Sequence, residues 1–251
     1  SSLINQGMVI LDGAKMSKSK GNLVLFQEEL NAHGADALRT SLAFAGPVED
    51  DKDWADVSTT GAAKFLSRAL RVAHDVDSPV DVVFAGGDSA LRRATHRLLA
   101  DAPGLVEQTK FNVLVARLME LVNAIRKTID SGAGASDPAV REAAETLAVM
   151  LDLIAPHTAE EMWEALGHEP SVGLVQWRSA DPALLIEDTV TTAVQVNGKV
   201  RATLDVPAKI GDAELEKLAR ADEKVQRALE GKEIVRVIVR APKIVNFAVK
   251  G

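Results

Sequence analysis

Phe111-Asn112-Val113-Leu114-Val115-Ala116-Arg117-Leu118-Met119-Glu120-Leu121-Val122-Asn123-Ala124-Ile125-Arg126-Lys127-Thr128-Ile129 is the stretch on which the fold turns. Phe111, Leu114, Val115, Leu118, Leu121, Val122, Ile125 and Ile129 recur at spacings of three and four, one apolar stripe along a helix, with Arg117, Glu120, Arg126 and Lys127 off it. Such a helix needs neighbours. The same period predicts helices over 26–33, 36–45, 59–75, 89–106, 109–130, 138–155 and 159–166. Gly34 suits a helix end, Asp137 before Pro138 suits a start, and Thr158-Ala159-Glu160-Glu161 has the spacing of a capping box. Loops containing Ser78-Pro79, Gly86-Gly87 and Ser131-Gly132-Ala133-Gly134 separate the long helices, which is the layout of an antiparallel bundle.

Downstream of a connector the period changes from 3.6 to 2. Val194 and Val196, then Asn197-Gly198, then Val200, Ala202 and Leu204 read as a hairpin closed by a type I′ turn. Helical segments opened by Asp212 and Asp222 follow, then strands over 234–240 and 244–249 broken by Pro242. The fold class is therefore mainly α, with a small β-β-α-α-β-β unit at the end. The expected boundaries are 1–57 for a leading loop segment, 58–172 for the bundle, 173–189 for the connector and 190–251 for the α+β domain.

The 251 residues are 47% hydrophobic and 26% charged, enough to bury a sizeable core. No apolar run reaches the roughly 18 residues of a membrane span, and Ser1-Ser2-Leu3-Ile4-Asn5-Gln6 lacks the pattern of a signal peptide, so a cytoplasmic protein is expected. The absence of cysteine excludes disulfides, thiolate metal sites and cysteine nucleophiles. The net charge of -7 conceals an asymmetry: residues 1–189 hold 17 Lys and Arg against 28 Asp and Glu, residues 190–251 hold 12 against 8. The tail is a separate basic unit.

Near the start stands Gly13-Ala14-Lys15-Met16-Ser17-Lys18-Ser19-Lys20-Gly21-Asn22, a basic, hydroxyl-rich loop with glycine at both ends. Two ammonium groups three residues apart, two hydroxyls and backbone amides suit the charge that builds on a triphosphate under attack. Lys-Met-Ser-Lys-Ser arises by chance in about one chain in ten thousand, which sets aside a plain surface loop.

Lys15-Met16-Ser17-Lys18-Ser19 resembles, without substitution, the signature loop of class I aminoacyl-tRNA synthetases. Gly34-Ala35-Asp36-Ala37-Leu38-Arg39, Phe44-Ala45-Gly46-Pro47 and Asp53-Trp54 are similar to the stem-contact segment of the leucine, isoleucine and valine subgroup. Ala155-Pro156-His157-Thr158-Ala159-Glu160-Glu161-Met162-Trp163 resembles a helix of that subgroup's anticodon-binding-type bundle. Val194-Gln195-Val196-Asn197-Gly198-Lys199-Val200-Arg201 and Ala241-Pro242-Lys243-Ile244-Val245-Asn246 are similar to the compact C-terminal domain of bacterial leucine-specific members. The resemblance covers nearly the whole chain. A His-Ile-Gly-His signature, a dinucleotide-fold unit before Lys15 and an inserted editing domain are all missing, so a C-terminal fragment, inactive alone, is expected.

The resemblance implies a parent that activates leucine with ATP and Mg2+ and transfers it to tRNA(Leu), acting as a monomer. Lys18 and Lys15 would be the catalytic residues, and Lys15, Met16, Ser17, Lys18 and Ser19 the ATP-binding set. Met16 is expected to anchor the loop in an apolar pocket. A valine or isoleucine enzyme, or a non-catalytic RNA-binding scaffold, is the alternative. Lys199, Arg201, Arg236, Arg240 and Lys243 are candidate tRNA contacts, with Val235, Val237 and Val239 on the opposite, core-facing side of their strand. No metal ligand is expected, since His157 and Glu160 offer at best two donors. The acidic run Glu49-Asp50-Asp51-Lys52-Asp53 reads as a solvated turn, and Trp163 and Trp177 read as core.

Overall fold

The computed structural model describes residues 3–186 and 189–250, and it divides into two compact units between Leu185 and Ile186. The first unit opens with short strands β1 (Val9–Leu11) and β2 (Ala14–Lys15). Helix α1 (Phe26–Phe44) is broken at Gly34, whose φ of 80° no side chain favours, so it is two helices in series as the pattern predicts. After β3 (Lys52–Asp53) come α2 (Thr59–Asp75), α3 (Ser89–Glu107), α4 (Phe111–Ile129), α5 (Pro138–Leu151) and α6 (Pro156–Ala165).

On α4 the predicted stripe is buried from Leu114 to Ile125, with Phe111 and Ile129 half-buried at its ends. Each fully buried Leu, Ile or Val contributes roughly 1.5–3 kcal/mol, so six of them outweigh the indifferent helix propensity of the β-branched residues among them. Three residues, 108–110, connect α3 to α4, which makes these packed neighbours antiparallel. The Oγ of Ser58 and the carboxylates of Asp88 and Asp137 accept the first free N–H groups of α2, α3 and α5.

The start of α6 departs from the reading. The helix begins at Pro156, not at Ala159, and Thr158 lies inside its first turn. Proline's fixed φ sets the first helical residue, and the cap comes from α1: Asp36 accepts from the Thr158 N–H at 2.7 Å and its hydroxyl at 2.9 Å. No capping box forms between Thr158 and Glu161, and the neighbouring Glu160 receives the Val172 N–H and the Ser171 hydroxyl. Helix α5 also stops four residues early, at a turn over 152–154.

The second unit contains β4 (Thr189–Val196), β5 (Lys199–Pro207), α7 (Asp212–Ala221), α8 (Glu223–Leu229), β6 (Glu233–Arg240) and β7 (Ile244–Lys250). The sheet order is β5-β4-β7-β6, with β4 and β7 parallel and the other pairs antiparallel. Asn197 and Gly198, with φ of 49° and 77°, make the expected tight turn. Asp222 caps α8, whereas the Asp212 carboxylate accepts from the Ala241 N–H. Val194, Val196, Leu215, Val225, Val245 and Phe247 form a separate core.

Two bulges alter the simple alternation. The ladder passes from Ile234 directly to Arg236, leaving Val235 as the extra residue, 58% exposed. Val237 and Val239 pack inward as predicted, and Ile234 takes the inward place expected of Val235. On β5 the ladder likewise skips Arg201.

Candidate functional site

β1 and β2 form a hairpin whose turn, Asp12-Gly13, has positive φ at both positions, 51° and 70°. Its support comes from the acidic run. Asp53 accepts the N–H groups of Gly13 at 2.7 Å and of Asp12 and Ala55 at 3.1 Å, and Asp51 accepts that of Met8 at 2.7 Å. The bond from Gly13, then that from Ala55, holds the Asp53 carboxyl below its ordinary range. Asp51 and Asp53 are thus structural anchors of the loop, more than the solvated turn their sequence suggests. The Asp53 to Ala55 spacing of two is an Asx-turn signal, but nothing local points to Gly13.

The signature residues leave β2 in an ordered turn. Lys18–Lys20 is a single 3-10 turn closed by Gly21, whose N–H donates to the Lys18 carbonyl. Asn22 clasps both limbs: its Oδ1 accepts from the Ser17 N–H at 2.9 Å and its Nδ2 donates to the Lys15 carbonyl at 3.3 Å. The hydroxyls of Ser17 and Ser19 bond each other at 2.8 Å. Lys15, Lys18, Ser19 and Lys20 are exposed, while Met16 and Ser17 are half-buried. The exposed Lys15 at the end of β2, the exposed Lys18 at the start of the turn and the hydroxyl pair lie along one short stretch of chain. This set fits phosphate oxygens. It contains no carboxylate with which to hold a metal.

Elsewhere the predicted residues sort differently. Lys199 and Arg201 lie on β5, Arg236 and Arg240 on β6, at opposite edges of the sheet and about 14 Å apart by strand spacing, with Lys243 in the turn after β6. All five are exposed. Arg236 and Arg240 pair with Ala248 and Ile244, away from the face on which Val237 and Val239 meet Phe247 and Val245. His157 is 76% exposed and bonds Asp36, and Glu160 is engaged elsewhere. Among the described residues no group of three or more His, Asp or Glu is gathered to hold a metal. Trp163 is buried and stacked on His168 at 3.9 Å, and Trp177 packs half-buried at the core's edge.

Residues 88–217 match the family model described as the anticodon-binding domain of tRNA ligase. The chain belongs to this family. Residues 1–63, which hold the signature turn and its anchors, match the model of class I tRNA synthetases. The chain is 64% identical over 248 residues to the leucine–tRNA ligase of Leifsonia xyli, and 48% identical to that of Tropheryma whipplei. Each comparison covers 99% of this chain but only 29% and 30% of the relative, so the chain spans about three-tenths of their length. A solved LeuRS from Agrobacterium radiobacter, in a ternary complex with tRNA and LeuAMS, shares the fold with a TM-score of 0.78 at 24% identity, over 98% of this chain and 33% of that one.

Proposed function

We propose that this anticodon-binding-family chain is the C-terminal part of a leucine–tRNA ligase that works in the cytoplasm as a monomer. The carrying observation is the Lys15–Ser19 segment, clasped by Asn22 and preceded by a hairpin turn that Asp53 holds, with Lys15 and Lys18 exposed, in a chain that aligns over 99% of its length with a leucine–tRNA ligase. In this reading residues 1–57 bear the signature loop and stem-contact segment, 58–172 the bundle, 173–189 a connector and 190–251 a tRNA-contacting domain.

The leucine carboxylate attacks the α-phosphorus of ATP, and the bond to the bridging oxygen of pyrophosphate breaks. Lys18 stabilises charge on the α-phosphate and the departing pyrophosphate, with Lys15, Ser17 and Ser19 holding the phosphate oxygens and Met16 seating the loop. Magnesium accompanies ATP. A hydroxyl of the terminal adenosine of tRNA(Leu) then takes the leucyl group as an ester while the acyl–phosphate bond breaks and AMP leaves, and the folded body of that tRNA meets Lys199, Arg201, Arg236, Arg240 and Lys243. Exposed basic residues on and beside the sheet support this contact, and within residues 190–251 one aromatic residue, Phe247, buried in the core, leaves no stacking platform for single strands.

Fluorescence titration of labelled leucine, valine and isoleucine tRNAs with the chain tests the reading. Salt-dependent binding with preference for tRNA(Leu) is expected. Equal binding of all three, or none, contradicts it.

A further inference from the structure

We infer that Asn22 is a positioning residue for leucine activation: its side-chain amide sets the backbone from which Lys15 and Lys18 reach the phosphates. This rests on the leucine–tRNA ligase reading above and adds to it a residue outside the five signature positions. Asn22 bonds only backbone groups of those positions, so it acts through the residues it holds.

The turn closes on itself through two backbone bonds, from the Lys20 N–H to the Ser17 carbonyl at 3.1 Å and from the Gly21 N–H to the Lys18 carbonyl at 3.3 Å. These fix residues 17–21 relative to one another. They do not fix Lys15, at the end of β2, relative to Lys18, the first residue of the turn. Asn22 supplies that link. Gly21, at a φ of 68° that side chains disfavour, reverses the chain so that the next side chain meets the limb that entered the turn. There the Asn22 Oδ1 accepts from the Ser17 N–H at 2.9 Å and the Nδ2 donates to the Lys15 carbonyl at 3.3 Å, so one planar group ties the chain on both sides of Met16. Asn22 and Met16 are half-buried while Lys15 and Lys18 project into water. The clasp therefore orders the stems and leaves the ammonium groups open to substrate.

The chemistry of the clasp selects asparagine. It needs an acceptor and a donor on one short, rigid, uncharged group. An ionised aspartate keeps the acceptor, loses the donor and sets a negative charge beside the phosphates; glutamine carries the amide one methylene too far. Because the ammonium groups act on charge that develops in the transition state, an error in their placement falls on the chemical step and not on leucine binding.

Two measurements test this. In the chain itself, amide hydrogen exchange followed by NMR should show the Ser17 N–H protected, and Asn22→Ala should speed its exchange about tenfold with the melting curve unchanged. In an enzyme made by joining this chain to the preceding part of the Leifsonia xyli relative, Asn22→Ala should slow single-turnover leucyl-adenylate formation about 10- to 100-fold with the KM for leucine unchanged. Asn22→Asp should also be slow. Placed in a Lys18→Ala background, Asn22→Ala should slow the reaction by a much smaller factor, because a misplaced lysine and an absent one are the same loss. An unprotected Ser17 amide, adenylate formation by Asn22→Ala at the unsubstituted rate, or the same factor with and without Lys18 would each overturn the inference. Absence of leucine-dependent activity in the unsubstituted joined enzyme would instead overturn the leucine–tRNA ligase reading beneath it.

Discussion

Three backbone N–H groups, from Asp12, Gly13 and Ala55, converge on the Asp53 carboxylate, 40 residues from Gly13 in the hairpin turn that leads into the signature residues. Because these donors favour the ionised form, the folded carboxyl titrates below the ordinary value of 3.8. The sign follows: the contribution to stability is complete above that value and is lost as pH falls through the lower folded one. An NMR titration of Asp53 should show this depressed midpoint, with the Gly13 amide shifting along the same curve. A midpoint at or above 3.8 would remove Asp53 from its anchoring role. The signature residues themselves were legible because their order is improbable by chance. Their supports were not. Asp51, Asp53 and Asp36 reach 43, 40 and 122 residues along the chain, and no local pattern records such distances.

Helix α5 is the element that the bundle closes around. Its residues from Ala139 to Ala148 are buried on every side, including Arg141, Glu142 and Glu145. Arg141 donates to the Ser78 and Leu166 carbonyls, and Glu145 receives Arg141, His168 and Arg178. Glu142 bonds Arg92 at 2.8 Å and His96 at 3.0 Å, while His96 accepts from the Asp181 N–H. Removing one member strands a buried charge, so Glu145→Ala should destabilise the chain by about 3–5 kcal/mol in urea denaturation. A loss below about 1 kcal/mol would mean that the network contributes little. Periodicity found this helix and its neighbours because amphipathic stripes are local. It did not find the cap on α6 or the bulges at Arg201 and Val235, which depend on a partner strand or helix that the pattern does not contain.

At the scale of the molecule, two units with separate cores divide the charge unequally. The change of period from 3.6 to 2 announced the second unit, but no local pattern records the sheet order that separates its candidate contacts to two edges. Replacing Lys199, Arg201, Arg236, Arg240 and Lys243 together with alanine should lower tRNA affinity and salt slope while leaving the melting profile intact. An unchanged slope would move the contact surface entirely to the bundle.

In the proposed reaction Lys18 acts on charge that develops during leucine activation. Joining this chain to the preceding part of the Leifsonia xyli relative allows single-turnover formation of leucyl-adenylate to be measured. The joined enzyme should catalyse leucine-dependent exchange of pyrophosphate into ATP. Lys18→Ala should slow adenylate formation about 100- to 1,000-fold with leucine binding unchanged. Adenylate formation by Lys18→Ala at the unsubstituted rate would contradict the account.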